Sequence, residues 1–321
     1  MFNIETNIYA ILLAFVLAVI LCPLIIPVLR RLKFGQNVRD DGPQSHLVKA
    51  GTPTMGGVMI VLAFAAASLP FIWNGNHDAK AVLIITVGYG IVGFIDDYIK
   101  VVKKRSLGLR AWQKIVFQLI VTVVFYYYIH SCTDLGTSIY VPFADGMEID
   151  LGVLYLPFLL FVMIGTVNSV NLTDGLDGLA SGVTALVAVF FMIAAMMLGS
   201  GISPVCGAVV GALLGFLLFN SYPAKVFMGD TGSLALGGFV ASTAVLLKMP
   251  LFLLIVGFIY VCESLSVILQ VGYFKLTHGK RIFKMAPIHH HFEQCGFKET
   301  KVVALFYIIT AIACLIGYLA M

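Results

Sequence analysis

Charged residues are scarce in this 321-residue sequence. Asp, Glu, Lys and Arg make up 11% of it and hydrophobic residues 60%, with a mean hydropathy of +1.00. Soluble domains carry about 25% charged residues, so the composition excludes an ordinary soluble protein and favours a polytopic membrane protein. The longest polar stretches, near residues 30–53 and 274–301, are too short for a core of their own. We therefore expect one integral domain over residues 1–321.

The sequence also lacks paired cysteine motifs and a signal peptide. Its six cysteines are scattered, without a CxxC pair or metal-site spacing, and most lie in apolar runs where a small hydrophobic side chain is the expected role. The first ten residues contain Glu5 but no Lys or Arg, which argues against a cleaved signal.

Long apolar runs are abundant instead. Each is long enough to cross a hydrocarbon layer of about 30 Å. They fall at residues 8–29, 55–73, 79–95, 112–130, 151–167, 183–199, 203–220, 232–248, 250–273 and 302–320. The runs predict an all-α integral membrane fold of about ten transmembrane helices, with both termini on the same side.

Basic residues are divided unevenly between the loops. Of the 20 Lys and Arg residues, only Lys80 and Lys248 fall on one side, and the other 18 fall on the opposite side. The positive-inside rule makes the basic side cytoplasmic. This predicts a multi-pass protein of the bacterial plasma membrane, with both termini and the acidic loop Asp134–Asp150 outside.

Nine carboxylates lie among the basic residues on the side predicted to be cytoplasmic. They are Asp40, Asp41, Asp96, Asp97, Asp174, Asp177, Asp230, Glu293 and Glu299. Membrane topology and anionic lipid explain the cations, but they do not explain these acids. A basic surface with embedded carboxylates is typical of a polyanionic substrate bound with a divalent metal.

The stretch Asn168–Gly178, NSVNLTDGLDG, carries polar side chains at every third position: Asn168, Asn171, Asp174 and Asp177. This spacing lags a continuous helix by about 60° per step. Gly175 and Gly178 favour a broken backbone that brings the four side chains onto one side. The stretch is either the floor of a polar site or an ordinary turn with capping Asn and Asp residues.

The motif YGIVGFIDDYIK places Asp96 and Asp97 at the predicted end of the third helix. Adjacent helical side chains point about 100° apart, so one should face a cleft and the other should bind backbone or a cation such as Lys100. The alternative is a solvated helix end, although an acidic pair there opposes the helix macrodipole.

The motif NSYPAKVFMGDTGS places Asp230 just before a helix predicted to start near Thr231. There Asp230 can hold Mg²⁺ while free amides hold phosphate, or it can be only the N-cap. In KAGTPTMGG, which opens the second helix, Lys49 and Thr54 can contact a phosphate or a nucleotide.

The motif MAPIHHHFEQCG contains three consecutive histidines. Zinc sites usually have spaced ligands, so phosphate contact, proton handling or a plain loop compete with metal binding. The ninth apolar run carries Glu263 and Gln270. Each has either a functional role or a pairing with a nearby Ser or a backbone carbonyl.

Four motifs in this order, GFIDDYIK, NLTDGLDGLASG, FMGDTGSLALGG and APIHHHFE, resemble the phospho-N-acetylmuramoyl-pentapeptide transferases. That family belongs to the polyprenyl-phosphate N-acetylhexosamine-1-phosphate transferases. The resemblance runs from about Arg30 to the C-terminus. It implies transfer of phospho-MurNAc-pentapeptide from UDP-MurNAc-pentapeptide to undecaprenyl phosphate, with release of UMP, in the first membrane step of peptidoglycan synthesis.

The resemblance further implies Mg²⁺, ten helices around a cytoplasmic cleft, a homodimer, contact with membrane lipid and no nucleic-acid partner. It implies binding of nucleoside antibiotics of the tunicamycin and muraymycin type. A broken ninth helix would give the prenyl chain a groove.

By the same resemblance, Asp96, Asp97 and Asp230 look like the metal site. Together with His289 they form the expected catalytic set, in which Asp96 deprotonates or positions the lipid phosphate. The expected substrate-binding residues are Lys49, Thr54, Lys100, Asn171, Asp174, Gly175, Asp177, Asn220, Phe227, Gln270, His289 and His290. The two histidines are expected to donate hydrogen bonds to diphosphate or sugar rather than to bind metal.

Two other functions compete with this interpretation. The first is a transferase for UDP-GlcNAc, which the HHH run argues against because it resembles the muramoyl branch. The second is a secondary transporter, which typically has midplane ionisable groups and inverted repeats. Here the carboxylates cluster at one face and no repeat is visible.

Overall fold

The computed structural model describes residues 4–31, 49, 51–72, 75–102 and 108–321. Its helices are α1 Ile4–Arg31, α2 Gly57–Ile72, α3 His77–Val102, α4 Ala111–Cys132, α5 Tyr155–Thr173, α6 Leu179–Met197, α7 Ser203–Asn220, α8 Gly229–Leu246, α9 Leu253–Val256, α10 Phe258–Leu276, α11 Ile288–Gln294 and α12 Glu299–Leu319. A hairpin of β1 Ser138–Tyr140 and β2 Glu148–Asp150 lies between α4 and α5. Several residues used in the charge analysis lie outside the described ranges: Lys33, Arg39, Asp40, Asp41, Lys103, Lys104 and Arg105.

Eight helices in the described part of the chain are long and apolar enough to cross a membrane: α1, α3, α4, α5, α6, α7, α10 and α12. This agrees with a mainly helical membrane protein. Helix α2 is apolar but shorter, and α8 is buried along nearly its whole length. The count of ten spans and the outward position of both termini stay predictions.

The polar stretch after the fifth apolar run continues the helix further than predicted. Helix α5 runs to Thr173, and the break comes in the turn from Asp174 to Gly178. The side chains of Asn168, Ser169 and Thr173 donate to carbonyls one turn earlier. These bonds satisfy the polar groups without ending the helix. The helix therefore extends beyond the apolar run at residues 151–167, and the break predicted at the glycines is confirmed.

One other boundary differs from the prediction. Helix α3 continues to Val102, so Asp96 and Asp97 lie within its final turns rather than at its end. The ninth apolar run is interrupted, in agreement with the expected broken helix: a single 3₁₀ turn, Pro250–Phe252, precedes the short α9, and α10 begins after Gly257.

Helix α8 lies at the centre of the bundle and packs on α2, α3 and α5. Glycines let the backbones approach closely at each contact. A Cβ atom added at Gly93 of α3 would lie 2.1 Å from the Asp230 carbonyl oxygen, and one at Gly57 of α2 would lie 2.0 Å from the Gly232 nitrogen. One at Gly237 would lie 2.6 Å from the Val167 Cα of α5. These contacts bring the polar ends of α3, α5 and α8 together.

The hairpin is attached to the opposite end of α8. Its strands pair antiparallel, with Ser138 opposite Asp150. Lys248, just after α8, donates through Nζ to Glu148 at 3.0 Å, and its carbonyl accepts from the Tyr140 N–H. At 1.5 Å per residue, the 18 residues of α8 separate the hairpin from the Asp230 end by about 25 Å.

Candidate active site

Three aspartates meet where the end of α3 contacts the start of α8. One carboxylate oxygen from each of Asp96, Asp97 and Asp230 lies within 4.8 Å of the other two. Asp96 and Asp97 are 3% and 2% exposed, and Asp230 is half-buried. Three carboxylates at this spacing are a suitable ligand set for a hard divalent cation. The three residues predicted to form the metal site are therefore brought together.

Two lysines neutralise much of this negative charge. Lys100 Nζ lies 2.6 Å from Asp96 Oδ2, 2.7 Å from Asp230 Oδ2 and 3.6 Å from Asp97 Oδ1. Lys114 on α4 lies 3.1 Å from the same Asp230 oxygen. Three carboxylates and two ammonium groups leave one net negative charge. A cluster of this kind attracts a cation and tolerates phosphate oxygens beside it.

Asp97 caps the start of α8. Its carboxylate accepts hydrogen bonds from the N–H groups of Asp230 and Thr231 and from the Thr231 hydroxyl, at 3.2, 2.9 and 2.8 Å. The predicted division of the acidic pair, with one member facing a cleft and the other binding backbone or a cation, is only partly correct, because Asp96 also accepts a backbone hydrogen bond, from the Leu109 N–H at 2.7 Å. The interpretation of Asp230 as a simple N-cap is wrong, because α8 begins at Gly229. The N-cap position is held by Met228, whose side chain makes no capping hydrogen bond. Free amides at the start of α8 were predicted to bind phosphate, but the N–H groups of Asp230 and Thr231 donate to the Asp97 carboxylate instead.

Asn171 joins α5 to the cluster. Its Nδ2 donates to Asp230 Oδ1 at 2.7 Å and to Ser233 Oγ at 2.8 Å, and its Oδ1 accepts from Lys114 Nζ at 3.3 Å. Asn168, one turn earlier on α5, pairs instead with Gln118 of α4 through its amide at 2.8 Å. Of the two asparagines in the polar stretch, only Asn171 contacts the carboxylate cluster.

Asp174 lies at the edge of the cluster, just beyond the end of α5. It accepts a hydrogen bond from the Gly229 N–H. Burial, followed by the negative charges of Asp230 and Asp97, raises the pKa of Asp174 to about 7. Asp174 therefore changes protonation state near neutral pH, where a bound cation would favour its ionised form.

A second polar cluster lies beside the turn after Asp174. Lys49 Nζ donates to Asp177 Oδ1 and to Glu299 Oε1, both at 2.6 Å. The Asp177 N–H donates to the same Glu299 oxygen at 2.8 Å, and Asp177 Oδ2 accepts from the Ala224 N–H. Burial lowers the pKa of Lys49, but the hydrogen bonds to Asp177 and Glu299 outweigh it and hold that pKa above its ordinary value.

A cavity of about 530 Å³ opens next to this second cluster. Lys49, Asp177 and Glu299 line one part of it, and Tyr222 and Phe297 supply aromatic surface. A cavity with an aromatic wall and a few fixed polar groups can hold a small organic ligand.

The loop before α8 is fixed to the segment before α2. The Phe227 N–H donates to the Pro53 carbonyl at 2.8 Å, and the Gly56 N–H donates to the Phe227 carbonyl at 2.8 Å. Thr54 lies beside Gly229, since a Cβ added there would be 2.9 Å from Thr54 Oγ1. Asn220 is buried and hydrogen-bonds Ser181 and the Val226 carbonyl, so it supports the loop.

Two of the histidines pair with glutamates. His289 is fully buried and pairs through Nδ1 with Glu263 Oε1 at 3.0 Å. His290 Nδ1 lies 2.9 Å from Glu293 Oε2. Gln270 uses its amide on the loop after α10, where it contacts the main chain of residues 282 and 283. These hydrogen bonds connect the three predicted substrate-binding side chains to Glu263, to Glu293 and to the loop after α10.

Three polar residues of the site were not among the predicted site residues: Lys114, Glu299 and Glu263. Lys114 falls in a basic stretch that the positive-inside rule already explains. Glu299 is in the first turn of α12, where an acid is ordinarily explained by the helix macrodipole. Glu263 is visible in the sequence as an intramembrane acid, but only the structure shows that its partner is His289.

Comparisons with known proteins agree on one family. The model for glycosyl transferase family 4 matches residues 79–248, and the phospho-N-acetylmuramoyl-pentapeptide-transferase signature 1 matches residues 49–61. A curated phospho-N-acetylmuramoyl-pentapeptide-transferase of Clostridioides difficile (strain 630) is 50% identical over 100% of this chain and 99% of its own length. One from Clostridium perfringens (strain 13 / Type A) is 53% identical over 96% of each chain. One from Clostridium kluyveri is 50% identical over 98% of this chain and 99% of its own.

Proposed function

The chain belongs to the phospho-N-acetylmuramoyl-pentapeptide transferase family, and on that premise we propose how its polar site carries out the transfer. The reaction moves phospho-N-acetylmuramoyl-pentapeptide from a UDP-linked donor to a lipid carrier, in peptidoglycan synthesis. The observation that carries the proposal is the meeting of Asp96, Asp97 and Asp230 with Lys100 and Lys114 at one end of the bundle.

The carboxylate cluster suits Mg²⁺ as the cofactor. All its charged ligands are oxygen atoms, and no histidine or cysteine joins the cluster among the described residues. This donor set is the one that hard cations prefer. When bound, Mg²⁺ would neutralise charge on the diphosphate of the donor. Asp230 is the most exposed of the three aspartates and is our choice as its principal ligand, with Asp96 and Asp97 beside it.

The chain's own groups position and stabilise the reacting phosphates. Asp96 takes the proton of the carrier phosphate, whose oxygen then attacks the sugar-linked phosphorus of the donor, and UMP leaves. Lys100 and Lys114 stabilise the charge that accumulates on the phosphoryl oxygens. Asp97 keeps α3 and α8 in register, so that these groups need little rearrangement.

The nucleoside end of the donor is assigned to the second cluster. Lys49 and Asp177 border the cavity next to the Asp174–Gly178 turn. Phe227 belongs to the loop that flanks it, and Asn220 at the end of α7 supports that loop. An aromatic surface is suited to the nucleobase of the donor, and a fixed ammonium group is suited to its phosphates. Nucleoside antibiotics of the tunicamycin and muraymycin type would compete for the same place.

The remaining assignments follow from the family resemblance and from the distribution of charge. The carrier is undecaprenyl phosphate, which approaches through membrane lipid along the interrupted region of α9 and α10. The site faces the cytoplasm of a bacterial plasma membrane, because the basic residues lie on that side. The functional unit is a homodimer, as the family resemblance implies.

Purified protein with both substrates tests the proposal. UMP release and formation of the lipid-linked product should require Mg²⁺, stop with EDTA and resume when Mg²⁺ is restored. Added Zn²⁺ should not restore activity, because the cluster has only carboxylate ligands. Replacing the donor with UDP-GlcNAc tests the rival transferase. Release of UMP from UDP-GlcNAc alone, or release that is unaffected by EDTA, would contradict the assignment.

A further inference from the structure

Glu263 of α10 and His289 of α11 form a buried hydrogen-bonded pair to which the proposed reaction assigns no role. Both side chains are 0% exposed, and Nδ1 of His289 lies 3.0 Å from Oε1 of Glu263. Glu263 lies within a helix of membrane-spanning length and composition. A carboxylate in such a helix is expensive to bury and generally has a functional partner. Here the partner is a single histidine.

The other ring nitrogen of His289 is directed at the substrate-binding turn. Within the described residues, His289 Nε2 is buried and has no hydrogen-bond partner. A Cβ atom added at Gly175 would lie only 2.1 Å from this nitrogen. The imidazole edge therefore lies directly against the main chain between Asp174 and Leu176. Glycine at position 175 is what allows this approach.

The pair fixes the orientation of the ring. In the proposed arrangement His289 Nδ1 donates this hydrogen bond and Glu263 Oε1 accepts it. With Nδ1 held by Glu263, Nε2 has no freedom to turn away from Gly175. Carboxylate–histidine pairs set the tautomer and orientation of a functional imidazole in the same way at metal sites.

We propose that Glu263 is a positioning residue for the transfer reaction: it holds His289 with Nε2 directed at the Asp174–Gly178 turn. The inference rests on the proposed function, because it assigns His289 to the donor-substrate side of that site. It goes beyond the carboxylate cluster, since it makes α10 and α11 part of the catalytic geometry. Glu263 acts through His289 and touches no substrate itself.

A double-mutant cycle on UMP release tests the coupling. Glu263→Leu removes the acceptor at similar volume and should lower kcat by about 10–100-fold, the usual effect of losing such an outer partner. The Glu263→Leu/His289→Ala variant should be no slower than His289→Ala alone, because Glu263 has nothing left to orient. Glu263→Gln, which keeps an acceptor oxygen, should recover much of the lost rate. Multiplying losses in the double variant would overturn the proposal.

Nitrogen-15 NMR of histidine-labelled protein gives a readout that does not depend on activity. The His289 signal, identified by its loss in His289→Ala, should show a protonated Nδ1 in wild-type and Glu263→Gln protein and change in Glu263→Leu. Ser266→Ala, which removes another buried hydrogen-bonding group of α10, is the matched control and should change neither signal nor rate. An unchanged His289 signal in Glu263→Leu would refute the pair. Wild-type protein without UMP release would refute the proposed function but leave this test intact.

Discussion

Asp97 and Thr231 are joined by two hydrogen bonds, from the Thr231 N–H at 2.9 Å and from its hydroxyl at 2.8 Å, both to Asp97 Oδ2. Both residues are buried. The bonds connect the last turns of α3 to the first turn of α8. The same contact fixes the positions of Asp96 and Asp230, because Asp96 precedes Asp97 in the chain and Asp230 precedes Thr231. These hydrogen bonds therefore place the three carboxylates next to one another before any ligand binds.

Asp230→Asn should lower the rate of UMP release by about 100-fold or more, because the loss of one electrostatic group at a reacting centre usually lowers the rate on this scale. The amide cannot replace the charged ligand, and Lys100 and Lys114 lose a shared partner. Residual activity should also depend less on Mg²⁺. Glu148→Gln, which removes a lysine-paired carboxylate from the distant hairpin, is the control. Turnover near that of wild-type protein would remove Asp230 from the site.

Asp96→Asn should lower kcat by about 100-fold, because general-base contributions are of this size, and should leave the affinity for the UDP-linked donor nearly unchanged. Initial rates and donor binding by calorimetry measure the two effects separately. Asp78→Asn, an acid in the first turn of the same helix, is the control. Equal losses in binding and turnover would mean that Asp96 serves the donor rather than the lipid phosphate.

The pKa of Asp174, raised from 3.8 to about 7 by burial and then by Asp230 and Asp97, predicts a pH effect on stability. A carboxyl group whose pKa is higher in the folded state than in the unfolded state contributes stability in its protonated form. This contribution is fully present when the pH is below the pKa of the unfolded state, and it is lost as the pH rises through the folded-state pKa of about 7. Without divalent cations, wild-type protein should therefore lose thermal stability between roughly pH 4 and 8 relative to Asp174→Asn. A difference in unfolding temperature that does not depend on pH would contradict the titration.

Glu299→Gln should raise KM for the UDP-linked donor by about tenfold with little change in kcat, since it removes binding that is equal in ground and transition states. The change takes one of two carboxylates from Lys49 and loosens the Asp177 main chain. Steady-state kinetics separate the two constants. Glu5→Gln, also a first-turn acid, should behave as wild type. A selective fall in kcat would place Glu299 in the chemical step instead.

The orientation of the chain is tested by labelling with a membrane-impermeant maleimide. In a background without native cysteines, Asp145→Cys in the exposed hairpin loop should react in intact cells. Lys280→Cys, exposed after α10, should react only after the membrane is opened, because its loop lies on the basic side. The reverse pattern would invert the topology and move the active site outside.

The sequence predicted most helices because apolar length is a strong signal. It misjudged polar helix ends. The hydroxyls and amide of Asn168, Ser169 and Thr173 bond back to their own helix, and a hydropathy pattern cannot register this. The residue roles taken from the family resemblance stay predictions, although the structure does bring the three aspartates together.

Contacts between distant segments could not be predicted from residue type alone. Lys49 and Glu299 are 250 residues apart, and each has a sufficient local explanation, one in topology and the other in the helix macrodipole. Glu263 and His289 likewise give no signal of pairing. Only the packing of α10, α11 and α12 against the turn after α5 determines which of the possible partners meet.

The glycine contacts around α8 limit how this protein can evolve. At Gly57, Gly93 and Gly237 a single added carbon would collide with a neighbouring backbone, so mutation has almost no small steps available there. The base of the site is consequently resistant to gradual change. Substitution is easier at glycines such as Gly165 of α5 and Gly272 of α10, where an added Cβ atom would meet no other heavy atom within 4 Å.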